Sequence, residues 1–70
     1  MINRFAERLR ELRNEAGLTQ EGLSKELNGA ITPSAIGLWE LKKRTPNLEA
    51  VIVLAEYFGV SLDYMAGLED

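Results

Sequence analysis

Thr19-Gln20-Glu21-Gly22-Leu23-Ser24-Lys25-Glu26-Leu27-Asn28-Gly29-Ala30-Ile31-Thr32-Pro33-Ser34-Ala35-Ile36-Gly37-Leu38-Trp39-Glu40 is the stretch that decides the architecture. Thr19 and Thr32 are both good helix N-caps, because a threonine hydroxyl accepts a hydrogen bond from an otherwise unsatisfied N–H of the first turn. Pro33 follows Thr32 at the first helical position, where its missing N–H costs nothing and its fixed φ is already helical. Asn28-Gly29 carries turn chemistry between the two starts. The pattern predicts two short helices, about residues 19–27 and 32–41. Leu23 and Leu27, one turn apart, face inward on the first helix; Ile36, followed by Trp39, faces inward on the second. A capping box would want Glu or Gln where Gly22 stands. Glycine there also costs about 1 kcal/mol relative to alanine, so this helix is expected to be the weakest.

Three further helices flank the pair. Upstream, Phe5, Leu9, Leu12 and Ala16 recur at helical spacing, with Asn3 as N-cap and Gly17 as the stop. Lys42, Lys43 and Arg44 fall at the end of the third helix, where cations complement its dipole. Thr45-Pro46 breaks the pattern and Asn47 caps a fourth helix with Val51, Leu54, Ala55 and Phe58 on its stripe, ended by Gly59. Ser61 caps a short fifth helix ended by Gly67; Val60 and Met65 are spaced as a hydrophobic staple around its start. No window alternates long enough to be a strand. The expected fold is all-α with five helices. Its core is expected to hold Phe5, Leu9, Leu12, Leu18, Leu23, Leu27, Ile36, Trp39, Val51, Leu54, Ala55 and Phe58, with Trp39 a packing residue.

Composition narrows the function. The chain has 70 residues, 46% of them hydrophobic, enough for one core and a single domain over residues 1–70. Cysteine and histidine are both absent, which excludes disulfides, thiolate and imidazole metal sites and histidine-based catalysis. No metal or other cofactor, and no small-molecule ligand, is expected. The longest apolar run, residues 50–55, is far too short to span a membrane, and the start has no apolar core of a signal peptide, so a cytoplasmic location is expected. Net charge is −3, but residues 1–44 hold all 8 Lys and Arg against 6 acids, whereas residues 45–70 hold 5 acids and no base. Such asymmetry suits a molecule with one face for a polyanion, and equally a solvated surface with chance clustering.

Two capped helices joined by a tight turn, inside five helices of this order, suggest a helix-turn-helix. Leu9-Arg10-Glu11-Leu12-Arg13, Gly17-Leu18-Thr19-Gln20-Glu21, Lys43-Arg44-Thr45-Pro46-Asn47-Leu48-Glu49 and the ending 54–64 together resemble the Cro/CI (XRE-type) DNA-binding family. The run 33–40 is similar to phage-type repressors within it. The resemblance covers nearly the whole chain and implies a compact five-helix lambda-repressor-like domain. It further implies a sequence-specific regulator, a repressor binding double-stranded operator DNA as a homodimer. There are three departures. The turn after Leu27 is about two residues longer than usual, which leaves the angle between the helices open. Leu41-Lys42 replaces the usual Asn-Gly, which removes one phosphate contact and lets the third helix run on by part of a turn. The exposed face of that helix is also poor in base-reading groups.

Carried onto this chain, the resemblance places Thr19, Gln20, Thr32, Pro33, Ser34, Gly37, Leu38, Lys42, Lys43, Arg44 and Asn47 at the DNA. Gln20 meets the phosphate backbone at the start of the second helix. Lys42, Lys43 and Arg44 grip phosphates after the recognition helix, with Asn47 adding a contact; the alternative is a helix end that merely complements its dipole. On the recognition face, Ser34 can hydrogen bond to base edges and Pro33 and Leu38 can touch thymine methyls, while Gly37 would let the backbone approach closely. Leu38 is equally an ordinary surface leucine or a contact with a partner chain. Arg13 and Glu40 resemble the family's internal ion pair. Leu62, Met65 and Leu68, left over from the core, are candidates for a homodimer seam. The rival reading is a protein-interaction module of antitoxin or antirepressor type on the same fold, favoured by the acidic total. An enzyme is not indicated, because no acid and base pair in one expected cleft.

Overall fold

Side-chain caps start four of the five helices in the computed structural model, which describes residues 4–68. The helices are α1 (Phe5–Glu15), α2 (Gln20–Glu26), α3 (Pro33–Glu40), α4 (Leu48–Phe58) and α5 (Leu62–Ala66). Thr19 Oγ1 accepts from the Gly22 N–H at 2.9 Å and Thr32 Oγ1 from Ala35 at 3.1 Å. Asn47 Oδ1 accepts from Ala50 and Ser61 Oγ from Tyr64, both at 2.9 Å. Each cap satisfies a donor that the helix itself cannot, and losing one typically costs about 1 kcal/mol. Asn3, expected to cap α1, lies outside the described residues; Arg4 stands before α1 and its side chain makes no cap hydrogen bond.

Helices α1, α2 and α3 stop in a similar way, with a left-handed backbone turn and paired backbone bonds that close the last turn. Gly17 (φ 72°) does this after α1, and Asn28 (φ 57°), followed by Gly29 (φ 75°), after α2. The third case corrects the sequence expectation. Helix α3 does not run on through Leu41 and Lys42; it ends at Glu40, and Lys42 adopts φ 62°. Its N–H reaches the Trp39 carbonyl at 3.0 Å and the Lys43 N–H reaches Leu38 at 2.9 Å. A side chain in this conformation costs roughly 1 kcal/mol or more, so lysine holds a position that glycine would hold more cheaply.

Helix α3 packs between α1 and α2, and α5 bridges α4 and α1. All five helices contribute to one apolar cluster in which Leu9, Leu23, Ile36, Leu54 and Met65 are fully buried. Phe5 meets Trp39 edge to face, with ring centroids 5.9 Å apart. Leu12, Leu18, Leu27 and Phe58 are only partly buried and pack against the outside of the cluster. Ile31, buried in the turn before α3, and Ala6 and Ala50 join the interior unpredicted. Met65 corrects the proposed seam: it is sealed inside its own chain and cannot face a second copy. Leu62 and Leu68 are exposed.

Two polar ties close the fold. Ser24, buried in α2, donates its hydroxyl to the Ile31 carbonyl at 2.6 Å, which sets the path of the long turn toward α3. Arg8, buried on α1, donates to the Tyr64 carbonyl at 2.6 Å while its guanidinium lies 4.0 Å from the Tyr64 ring centroid. It fastens α5 to α1 by a charge-assisted hydrogen bond and a cation–π contact. Among the described residues, no helix is long and apolar enough to cross a membrane.

Candidate nucleic-acid interface

The starts of α2 and α3, each capped by a threonine, stand side by side where α2 packs on α3. Arg13, Thr19, Gln20, Glu21, Pro33 and Ser34 line one cleft between them. Ser34 forms the ridge to a second, larger groove toward α4, whose lining includes Thr32, Leu38, Arg44 and Asn47 over a floor of Ala35, Trp39, Ala50 and Val53. Eight of the eleven residues placed at DNA by resemblance, Thr19, Gln20, Thr32, Pro33, Ser34, Leu38, Arg44 and Asn47, thus share one surface. The threonine hydroxyls accept from backbone and keep their own protons to donate outward. Lys43 and Arg44 are exposed and form no ion pair among the described residues.

Three residues sit differently from the expectation. Lys42, thrown to the other side by its left-handed backbone, donates to Glu7 Oε2 on α1 at 3.1 Å. That pair holds the Glu7 carboxyl below the usual carboxylate range. Gln20 is not simply free at the helix start: its amide nitrogen donates to Glu40 Oε1 at 3.3 Å. Gly37 is not open backbone, for a Cβ built on it would lie 3.2 Å from Gln20 Oε1.

Behind the surface lies the polar centre that fixes it. Arg13 Nε donates to Glu40 Oε2 at 2.8 Å and a second guanidinium nitrogen donates to Oε1 at 3.0 Å, a bidentate fork across α1 and α3. Its remaining nitrogen donates to the Leu18 carbonyl at 2.8 Å, so the start of α2 hangs on the same arginine. Arg10, one turn earlier on α1, adds a contact to Glu40 Oε1 at 3.6 Å and to the Glu40 carbonyl at 3.4 Å. The Glu40 side chain is 2% exposed. Burial, the largest influence, pushes its carboxyl up, but Arg13, Gln20 and Arg10 together outweigh it and hold the group below its ordinary value. The Arg13 guanidinium is correspondingly raised, first by its hydrogen bond to Glu40. Sequence reading missed Arg10 and Arg8. Arg10 stands three residues before Arg13 on one helix face, and Arg8 stands three after Phe5, on the apolar stripe itself; helical spacing carried both signals.

A helix-turn-helix family model matches residues 9–65. The chain is 36% identical over 66 residues to the HTH-type transcriptional regulator YobD of Bacillus subtilis (strain 168), which covers 94% of this chain and 57% of that protein. It is 35% identical over 66 residues to the HTH-type transcriptional activator BcrR of Enterococcus faecalis, covering 94% of this chain and 31% of the relative. The chain therefore spans from just under a third to somewhat over half of the length of these relatives. No solved structure matches. Matched across α2, the turn and α3 and nearly to the end of α5, the chain belongs to the XRE-type helix-turn-helix family of DNA-binding transcriptional regulators.

Proposed function

We propose that this chain binds double-stranded DNA, with α3 in the major groove and α2 above it against the backbone, and represses transcription by occupying an operator as a homodimer. The observation that carries the reading is the single surface formed by the starts of α2 and α3 together with Arg44 and Asn47, held on a buried arginine–carboxylate fork. Phosphate contacts fall to Gln20, the threonine caps, Lys43, Arg44 and Asn47. Ser34, Pro33 and Leu38 face the bases. None of these three makes a bidentate base contact, so discrimination leans on thymine methyls, DNA deformability and half-site spacing near one helical turn, about 34 Å. Leu62 and Leu68, both exposed, remain as the apolar surface for pairing two copies.

Selection of bound sequences from random duplexes tests the reading. The expected result is a two-fold symmetric consensus. A Leu38→Gln chain should select a different base within it, and an unchanged preference would take Leu38 off the groove. No mobility shift at low salt would instead favour the protein-interaction module, for which the acidic total speaks. A reporter downstream of the selected site should fall in output when the chain is expressed; a rise would show activation, as the name of the Enterococcus faecalis relative describes for that protein.

A further inference from the structure

The contact between Gln20 and Gly37 joins α2 to the exposed face of α3, and neither composition nor spacing announces it. The Gln20 amide lies tightly against the place where a side chain at position 37 would begin: the oxygen is 3.2 Å, the nitrogen 3.6 Å and the amide carbon 3.7 Å from an ideal Cβ. The same nitrogen donates to the Glu40 carboxylate, which also accepts both bonds of the Arg13 fork. An amide NH2 has two protons, so one bond to Glu40 leaves a second proton and the oxygen for another partner. Gln20 also lines the cleft with Thr19, Pro33 and Ser34. A glutamine free in solution samples many rotamers; this one is held on one side by a carboxylate and on another by a glycine that leaves it room.

We infer that Gly37 is a positioning residue, whose missing side chain seats the Gln20 amide so that α2 presents a fixed donor to a DNA phosphate. This rests on the DNA-binding reading above. It replaces the expectation that Gly37 serves to admit the DNA backbone. The two roles differ in a measurable way. An alanine at position 37 meets only the far end of a flexible side chain, so the Gln20 amide gives by a few tenths of an ångström, off its seat, and the fold stands. Alanine is also the better helix former inside α3. The gain in helix propensity offsets a weakened Gln20–Glu40 bond, so the substitution should leave thermal stability near that of wild type while weakening DNA binding, which a general structural defect would not do.

The test is a double-substitution cycle on one random-sequence duplex, read as dissociation constant and melting temperature. Gly37→Ala should weaken binding about fivefold, the worth of one oriented hydrogen bond. Gln20→Ala should weaken it by a similar factor, and Gly37→Ala added to Gln20→Ala should change nothing further. In the free protein, Gly37→Ala should shift the Gln20 side-chain NH2 resonances, and Gln20→Ala should remove them. The inference is overturned if Gly37→Ala binds as wild type, or if it weakens binding equally with and without Gln20. The latter result would mean that the methyl itself meets the DNA. Absence of binding by the wild-type chain overturns the DNA-binding reading and this inference with it. Unshifted Gln20 resonances in Gly37→Ala, alongside a wild type that binds, would sink this inference alone.

Discussion

Two bridges run from α1 to the end of α3, and they are built to different standards. Arg13 and Glu40 meet in a fork of 2.8 and 3.0 Å with side chains 13% and 2% exposed. Lys42 and Glu7 meet at 3.1 Å with side chains 60% and 56% exposed. The distances are alike; the surroundings are not. A buried carboxylate cannot turn to water when its partner leaves, so the fork binds the helices together by the penalty of breaking it. The exposed pair is screened by water and salt and holds two mobile side chains for little gain. The lesson is that α3 takes its position from Glu40, while Lys42 matters to the chain through its backbone.

Breaking the fork has the largest expected effect. Arg13→Ala leaves Glu40 buried without its main partner and should cost about 3–5 kcal/mol. That is a large part of the total stability of a domain of this size, so a urea midpoint far below wild type, or an unfolded chain, is expected; a loss under about 1 kcal/mol would equate the two bridges. Acid tests the fork next. The Glu40 carboxyl is lowered in the folded state, so its contribution is complete above the ordinary carboxylate value, about 4.3, and is lost as pH falls through the lowered one. Stability should fall below about pH 4, and Glu40→Gln, already weakened at pH 7, should show a flatter acid limb. An acid limb as steep in Glu40→Gln as in wild type would remove Glu40 from its cause.

Lys42→Gly tests the claim about the backbone. It discards the exposed pair yet relieves the left-handed conformation, and should raise stability by about 1 kcal/mol, a few degrees in melting temperature. Destabilisation would mean that the Glu7 contact outweighs the backbone strain. Smallest of all, Glu7→Gln should leave the melting temperature unchanged at moderate salt, and a clear drop would mean that the exposed bridge carries weight.

What the sequence made legible is what is local. Caps at Thr19, Thr32, Asn47 and Ser61 each bond an N–H three residues on, so residue type and position suffice to place them. The stripes that gave the helices and most of the core are equally local. Met65 and Ile31 escaped because burial at a short helix and inside a turn depends on what packs over them, which periodicity does not record. The bond from Arg8 to Tyr64 joins residues 56 apart in the chain. Lys42 escaped because its side chain gives no sign of a left-handed stop, and the usual marker, glycine, is missing. At the interface the residue types were readable from family resemblance, but not that the Gln20 amide packs against Gly37 or that Lys42 turns toward α1.

The central claim, that the chain grips duplex DNA through the α2–α3 surface and the basic residues beyond it, is tested most directly by affinity for a random duplex as a function of salt. Lys43→Ala and Arg44→Ala should each weaken binding and flatten the slope of log K against log salt by roughly one unit, the mark of one lost phosphate contact. Lys42→Ala, whose charge is turned to Glu7, should leave the slope near that of wild type. Binding too weak to detect at low salt, or slopes in Lys43→Ala and Arg44→Ala equal to wild type, would contradict the account.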